Sequence, residues 1–373
     1  MSRLWGRVPT WVINVLIIPI ASVVLGFLVA AIAVVATGAD PSLAYLYLFQ
    51  GAFTNNNAFA ETLVSSVPYI FLGLGVALGF RAGLFNIGAE GQFYIGALAG
   101  VFVAYSIHGL PAIVEVPLAL LAAMAAGFLY AGIAGFLKAQ TGAHEVITTI
   151  MLNYIAFLIA NYLVTTPGLM LDPHTRTPRT PYIDANATLP IIFPASRLHL
   201  GFLLALLAVP LVWFLIERTT VGFRLRAVGF NAGAARAAGI SVARTTVLAM
   251  GISGALAATA GIVQVLAIQH DMTPAVASGY GFDAIAVALL ARSNPWGILP
   301  AALLFGALHN GAGFMQLQTT PQVSADLIAI VQASVIAFVA APEIIRWLLR
   351  LRRQQIAIPA VAITQEGATP PHA

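Results

Sequence analysis

Long apolar runs follow one another along almost the whole chain, separated by short polar joints, at about 13–36, 62–80, 84–107, 112–136, 145–164, 199–216, 245–268, 281–291, 296–312 and 324–341. A helix needs roughly 20 predominantly apolar residues to cross the hydrocarbon of a bilayer, and most of these runs reach that length. The pattern predicts an all-α, polytopic membrane protein with about ten transmembrane helices. The first run is too long for the core of a cleavable signal, so it predicts an uncleaved span. The runs 281–291 and 296–312 are short, and Asn294-Pro295 between them would break a helix. They read either as two half-spans or as one kinked hairpin.

Three hydrophilic pieces interrupt the pattern. The first, 165–198, carries prolines at 167, 173, 178, 181, 190 and 194, and reads as an ordered external loop. The second, 217–244, holds five arginines, and its middle reads as a short helix capped by Asn231. The third, 354–373, has little to bury and predicts a disordered tail.

Charge gives these joints a side. With ten spans and a cytoplasmic N-terminus, Arg3, Arg7, Arg81, Lys138, Arg218, Arg224, Arg226, Arg236, Arg244, Arg292, Arg346, Arg350, Arg352 and Arg353 fall inside. Arg176, Arg179 and Arg197 fall outside, all within the long 165–198 loop, where the positive-inside rule is weakest. Composition agrees: 60% of the 373 residues are hydrophobic and 8% charged, against about 25% charged in soluble domains. The net charge of +4 is carried by these membrane-flanking clusters, so it predicts no nucleic-acid partner.

Several chemistries are excluded by residue type. There is no cysteine, hence no disulfide, thiolate metal site or cysteine nucleophile. A Walker A loop needs a lysine at the phosphates, and Lys138 is followed by Ala139 rather than by Ser or Thr. No His pair lies at i, i+4 around a glutamate, and "GISGA" at 251–255 misses the spacing of a nucleophile elbow. His108, His144, His270 and His309 are scattered near predicted span ends, as interfacial histidines are. The chain therefore reads as a non-enzyme without a metal or cofactor of its own.

Polar residues inside the spans are the remaining candidates. "GLFNIGAEGQFYIGALAG" (83–100) places Asn86, Glu90 and Gln92 in a run otherwise fit for lipid. Asn86 and Glu90, four apart, are expected on one helix face. A carboxylate facing lipid costs roughly 2.5 to 3.5 kcal/mol at mid-bilayer, so Glu90 must face protein or water. It either pins a bent helix start through Asn86 and nearby backbone, or lines a solute pathway. Glu145, Thr149 and Asn153 form a second polar stripe, extended by Ala156 and Ala160, which is either an interhelical seam or a pore wall. Asp283 and Asp326 are expected as caps at external span ends.

The 83–100 stretch, "HEVITTIMLNYIA" (144–156), "AVGFNAGAARAAGISVAR" (227–244) and "GFDAIAVALLARSNPWG" (281–297) together resemble the permease subunits of bacterial ABC importers. Within the branched-chain amino acid and simple-sugar superfamily the resemblance is closest to the nucleoside permeases that work with basic membrane lipoproteins. His144 stands where that family usually shows asparagine. The resemblance implies that 1–353 is a transmembrane permease domain in the bacterial inner membrane, forming half of a channel for a small polar solute, a nucleoside or alternatively a sugar. It further implies a second homologous permease subunit, an extracytoplasmic substrate-binding lipoprotein, and a separate ATP-binding subunit that holds ATP-Mg. The segment with Asn231, Ala234, Ala235, Arg236 and Gly239 is then the coupling helix that seats in the ATP-binding subunit, with the alanines as its smooth contact surface. A proton-coupled carrier built on Glu90, Glu145, Asp283 and Asp326 is the rival class, but a carrier has no need of such an internal helix.

Overall fold

A computed structural model describes residues 17–175, 177–276, 279–341, 344 and 345. The start of the first predicted span (13–16), the tail 354–373, and Arg3, Arg7, Arg176, Arg346, Arg350, Arg352 and Arg353 lie outside the described residues. Among the described residues the chain is helical, in the order α1 (Ile18–Ala36), α2 (Pro41–Phe53), α3 (Asn56–Arg81), α4 (Ala89–Ser106), α5 (Ala112–Thr141), α6 (Glu145–Thr165) and α7 (Leu200–Arg218). There follow α8 (Thr220–Phe230), α9 (Ala232–Ala237), α10 (Val242–Gln264), α11 (Tyr280–Leu290), α12 (Pro295–Gln318) and α13 (Ile328–Ala340). Seven of these, α1, α3, α5, α6, α7, α10 with its continuation to Gln269, and α12, are long and apolar enough to cross a membrane. The chain is thus an all-α polytopic membrane protein.

The central helices are apolar on every side because they touch protein on every side. Most of α3 and α10 is buried, whereas α5 and α6 each bury one narrow face. On α6 the buried face is the polar stripe Glu145, Thr149, Asn153, Ala156 and Ala160. Its outward face carries Ile147, Met151, Tyr154, Leu158 and Tyr162, a surface suited to acyl chains. The tightest seam joins α5 to α10. A methyl group at Gly127 would stand 2.5 Å from the Gly254 carbonyl oxygen, and one at Gly254 2.3 Å from that of Gly127, so the backbones touch and only glycine fits.

Helix starts follow their caps more closely than hydrophobicity. Asn55 accepts from the Ala58 amide at 2.8 Å and starts α3 six residues before the apolar run at 62. Asp40, accepting from Ser42 N at 2.8 Å with Pro41 behind it, starts α2, a helix that no long apolar run announces. The ambiguous pair at 281–312 is neither two half-spans nor a kinked hairpin. It is a short helix, α11, and a full-length one, α12, joined by a turn in which Arg292 and Ser293 are left-handed and Asn294 caps Trp296 N at 3.1 Å.

The loop 165–198 forms a strap across one end of the bundle. After Gln264 the helix α10 widens into a π turn, Val265–Gln269, and its last carbonyls need outside donors. The strap supplies them. Leu189 N donates to Leu266 O at 2.9 Å, Ile183 N to His270 O at 2.9 Å and Thr180 N to Met272 O at 3.0 Å. Asp184 N donates to Ala104 O at 2.9 Å, while the Asp184 carboxyl is held below its ordinary range by the Asn186 amide and then by His108. At the same end Arg197 chelates Glu61, with Nη2 to Oε2 at 2.6 Å. At the opposite end Arg81 donates to Ser293 O at 3.0 Å and pairs with Glu217, which Arg226 also holds.

The chain lacks cysteine, so its sidedness can be read from single introduced thiols. Gly233→Cys and Asn186→Cys, both exposed and at opposite ends, should label from opposite faces, position 233 from the cytoplasm. Labelling of position 233 by an impermeant reagent added outside intact cells would reverse the positive-inside assignment.

Candidate functional site

Two discontinuities meet in the middle of the bundle. The first follows α3, where residues 82–88 run as a non-helical segment before α4 begins at Ala89. The expectation of a helix from 84, with Asn86 and Glu90 on one face, is therefore corrected: Asn86 precedes the helix and Glu90 lies in its first turn. The reason is local. Asn86 Oδ1 accepts from Gly88 N at 3.0 Å, and its amide pairs with that of Gln92 at 2.9 and 3.0 Å, a loop that competes with helix formation. Asn86 Nδ2 also donates to Ser253 Oγ at 2.9 Å, and Ser253 Oγ donates to Gly75 O at 2.7 Å.

The α6 stripe holds the other side of this segment. Asn153 Oδ1 accepts from Gly91 N at 2.8 Å and its Nδ2 donates to Ile87 O at 2.9 Å. Glu145 takes the Lys138 ammonium and the Phe85 amide, while Thr149 donates to Glu145 O within its own helix at 2.7 Å. Asn86, Glu90, Gln92, Glu145, Thr149 and Asn153 are all buried within the chain. The structure brings Asn86 to Gln92 and binds the α6 stripe to the 85–92 segment through Glu145 and Asn153; it does not bring Glu90 to Asn86.

Glu90 instead reaches the second discontinuity, the start of α11. Its two carboxylate oxygens accept from Gly279 N at 2.9 Å and Gly281 N at 2.5 Å. A carboxylate on unpaired N-terminal amides satisfies both the orphan donors and the positive end of the helix dipole. Gly281 permits the approach, since a methyl there would stand 2.3 Å from Glu90 N. Asp283, one turn on, accepts at Oδ2 from Tyr69 OH and Gln332 Nε2, both at 3.1 Å. Tyr69 lies midway along α3. The expectation of Asp283 as a cap at an external span end is thereby corrected: α11 starts part-way through the bundle, because its N-terminus is satisfied by a carboxylate rather than by water. Asp326 does sit in an exposed turn, Ala325–Leu327, beside Ser324.

Aromatic rings surround this start. Tyr280 lies 5.2 Å from Tyr69 and 5.3 Å from His309 between ring centroids, with its hydroxyl 3.3 Å from His309 Nε2. Nothing local in the sequence marks Tyr69, Tyr280 or Ser253 as polar partners, and His309, expected at an interface, stands instead beside Tyr280. A lone glutamine in "IAIVQASVIAF" (328–338) was the one available signal.

At the Arg81 end, Asn231 closes α8 and caps α9, accepting from Ala234 N at 2.9 Å. Gly239, with φ +81°, turns the chain away after Ile240 N bonds Ala235 O at 3.0 Å. Ala234, Arg236, Ala237 and Ala238 are exposed, but Ala235 is buried against the chain itself. The expectation of Ala235 on the outward surface is corrected, because a six-residue helix has room for only one inward face. Beside α9 stands Phe230, 94% exposed, at the edge of a groove of about 880 Å³ that also touches Phe223 and Ala227.

The chain is a bundle of apolar helices broken at its centre, where the 82–88 segment meets the start of α11, with the short capped helix α9 at one end. The chain belongs to the family described as branched-chain amino acid transport system / permease component, which matches residues 58–340. It is an integral membrane transport subunit rather than an enzyme. It is 39% identical to the guanosine ABC transporter permease protein NupP of Bacillus subtilis over 90% of this chain and 95% of that one. It is 34% identical to the nucleoside ABC transporter permease protein NupB of Lactococcus lactis over 89% and 93%. With the glucose ABC transporter permease protein TsgB13 of Haloferax volcanii it shares 35% over 87% of each. No solved structure matches the chain.

Proposed function

We propose that this chain is one of two homologous permease subunits of an ATP-driven nucleoside importer, with α4, α11 and α13 completing ten membrane-embedded helices. The Arg81 end faces the cytoplasm and the 165–198 strap faces outward, where a substrate-binding lipoprotein delivers solute. A separate subunit binds and hydrolyses ATP-Mg. The carrying observation is the projecting helix α9 with Phe230 beside it: an exposed phenylalanine and a fixed arginine on a capped helix form a docking element, which a proton-coupled carrier does not require. Guanosine and nucleoside relatives support the solute class, and the glucose relative supports sugar as the second reading.

On this reading Asn86, Gln92, Glu145, Thr149 and Asn153 serve the pathway by holding the 85–92 segment that forms its wall, and Glu90 serves it by fixing the start of α11. Docking is the direct test. Phe230→Ala should cost about 2 kcal/mol of association with the ATP-binding subunit, roughly thirty-fold, and Arg236→Glu should weaken it in the same direction. Both chains should still insert and accumulate. Uptake of labelled guanosine and glucose by the assembled transporter in vesicles then decides the solute. Unchanged ATPase association and ATP-driven uptake in both variants would remove α9 from the mechanism.

A further inference from the structure

We propose that Asp283 and His309, backed by the buried Tyr280, form a solute-contact site half-way through the membrane, reached from the Glu61–Arg197 end, that takes a nucleoside through its base and hydroxyls. The proposal rests on the reading of the chain as a nucleoside permease.

The polar groups around 85–92 are closed upon one another, but this trio is not. Asp283 spends one oxygen, Oδ2, on both Tyr69 and Gln332, and among the described residues Oδ1 accepts no hydrogen bond. The side chain is only half-buried. His309 is exposed although it sits on α12 nine residues before Gln318, which places it roughly 13 Å in from that helix end. Among the described residues its one polar contact is the Tyr280 hydroxyl. An exposed imidazole and an open carboxylate oxygen at this depth are poorly matched to lipid and well matched to water or a polar solute.

A polar face of α3, ending in the buried Tyr69, runs towards them from one end. On α3, Glu61, Ser65 and Tyr69 recur at i, i+4 and i+8, with Arg197 paired to Glu61 at the mouth and Tyr69 bonded to Asp283 at the bottom. It stops where Glu90 occupies the amides of α11. What the site offers is an acceptor in Asp283 Oδ1 and the exposed His309 imidazole, which can stack, donate or accept and is backed by the buried Tyr280 ring. A heteroaromatic ring bearing N–H groups and hydroxyls uses the stacking face, the acceptor and the imidazole nitrogens. A hexose uses the acceptor and the imidazole but brings no aromatic ring.

The test uses the assembled transporter in proteoliposomes and labelled guanosine. His309→Ala and Asp283→Asn should raise the KM for uptake at least about tenfold, the loss of one well-made polar contact, with unchanged assembly and ATPase association. Asp326→Asn, in the exposed turn, should match the parent chain. Because Asp283 also holds Tyr69 and Gln332, a folding defect in that variant is checked by a second measurement. His309→Cys, the single thiol of the chain, should react with a small membrane-impermeant maleimide, and excess guanosine should slow the reaction. Wild-type KM in His309→Ala, or a thiol at 309 that reacts only with membrane-partitioning reagents, would overturn the site. If the parent transporter carries glucose and not guanosine, the nucleoside reading fails. The same variants and protection assay on glucose then decide the site alone.

Discussion

Gly254→Leu is expected to abolish accumulation of the folded chain, whereas Gly132→Leu, five residues beyond Gly127 on the same partner helix, is expected to be silent. At Gly254 even a methyl would stand 2.3 Å from the Ala131 Cβ and from the Gly127 carbonyl oxygen, while at Gly132 it would meet nothing within 4 Å. Overpacking usually costs about 1–3 kcal/mol, but those cases allow side chains to yield. Here the obstacle is backbone, so α5 and α10 must separate and lose their shared seam. Among membrane helices close packing is the main source of cohesion, since lipid already solvates apolar surface. The measurement is the yield of monodisperse chain after detergent extraction. Parent-level yield and thermal stability for Gly254→Leu would show that the helices are not in backbone contact.

Glu90→Ala should show the second-largest loss, and with a diagnostic order. The substitution strands the amides of Gly279 and Gly281 inside the bundle, at about 1–3 kcal/mol each. Glu90→Gln keeps one acceptor for one of the two amides and should fall between parent and alanine variant. Because the start of α11 also carries Tyr280 and Asp283, uptake per assembled complex should drop by at least about tenfold in Glu90→Ala, roughly the factor for one kilocalorie and a half. Thermal unfolding in detergent together with uptake checks the series. Equal stability and uptake in all three would mean that α11 needs no partner at its N-terminus.

A pore-lining carboxylate would behave differently. Solute contact alone predicts altered KM without altered stability, while a helix-start clamp predicts that both move together. Asn153→Ala offers a comparison, since Asn153 also binds backbone, at Gly91 N and Ile87 O, and among the described residues neither of these bonds involves α11. Loss of stability in both variants, with the larger loss of transport in Glu90→Ala, is the result that the two connections require.

Membrane residence, helical class, the cap at Asn231 and the α6 polar stripe were legible in the residues, for one reason. Each depends on chain-local physics: the length of an apolar run against bilayer thickness, an asparagine before a helix, polar groups recurring at helical spacing. Even the α6 stripe was correct as a face, because every residue on it shares one helix. What tertiary structure alone decided is which way each polar group is satisfied. Glu90 was expected to bind Asn86 and nearby backbone, yet its donors are 189 and 191 residues away, at Gly279 and Gly281. Asp283 resembled a span-end cap because hydrophobicity measures length and not depth, and only contact with Tyr69 places α11 part-way through the bundle. Ala235 resembled its neighbouring alanines because an alanine carries no mark of its direction, and only the fold of α8 and α9 turns it inward.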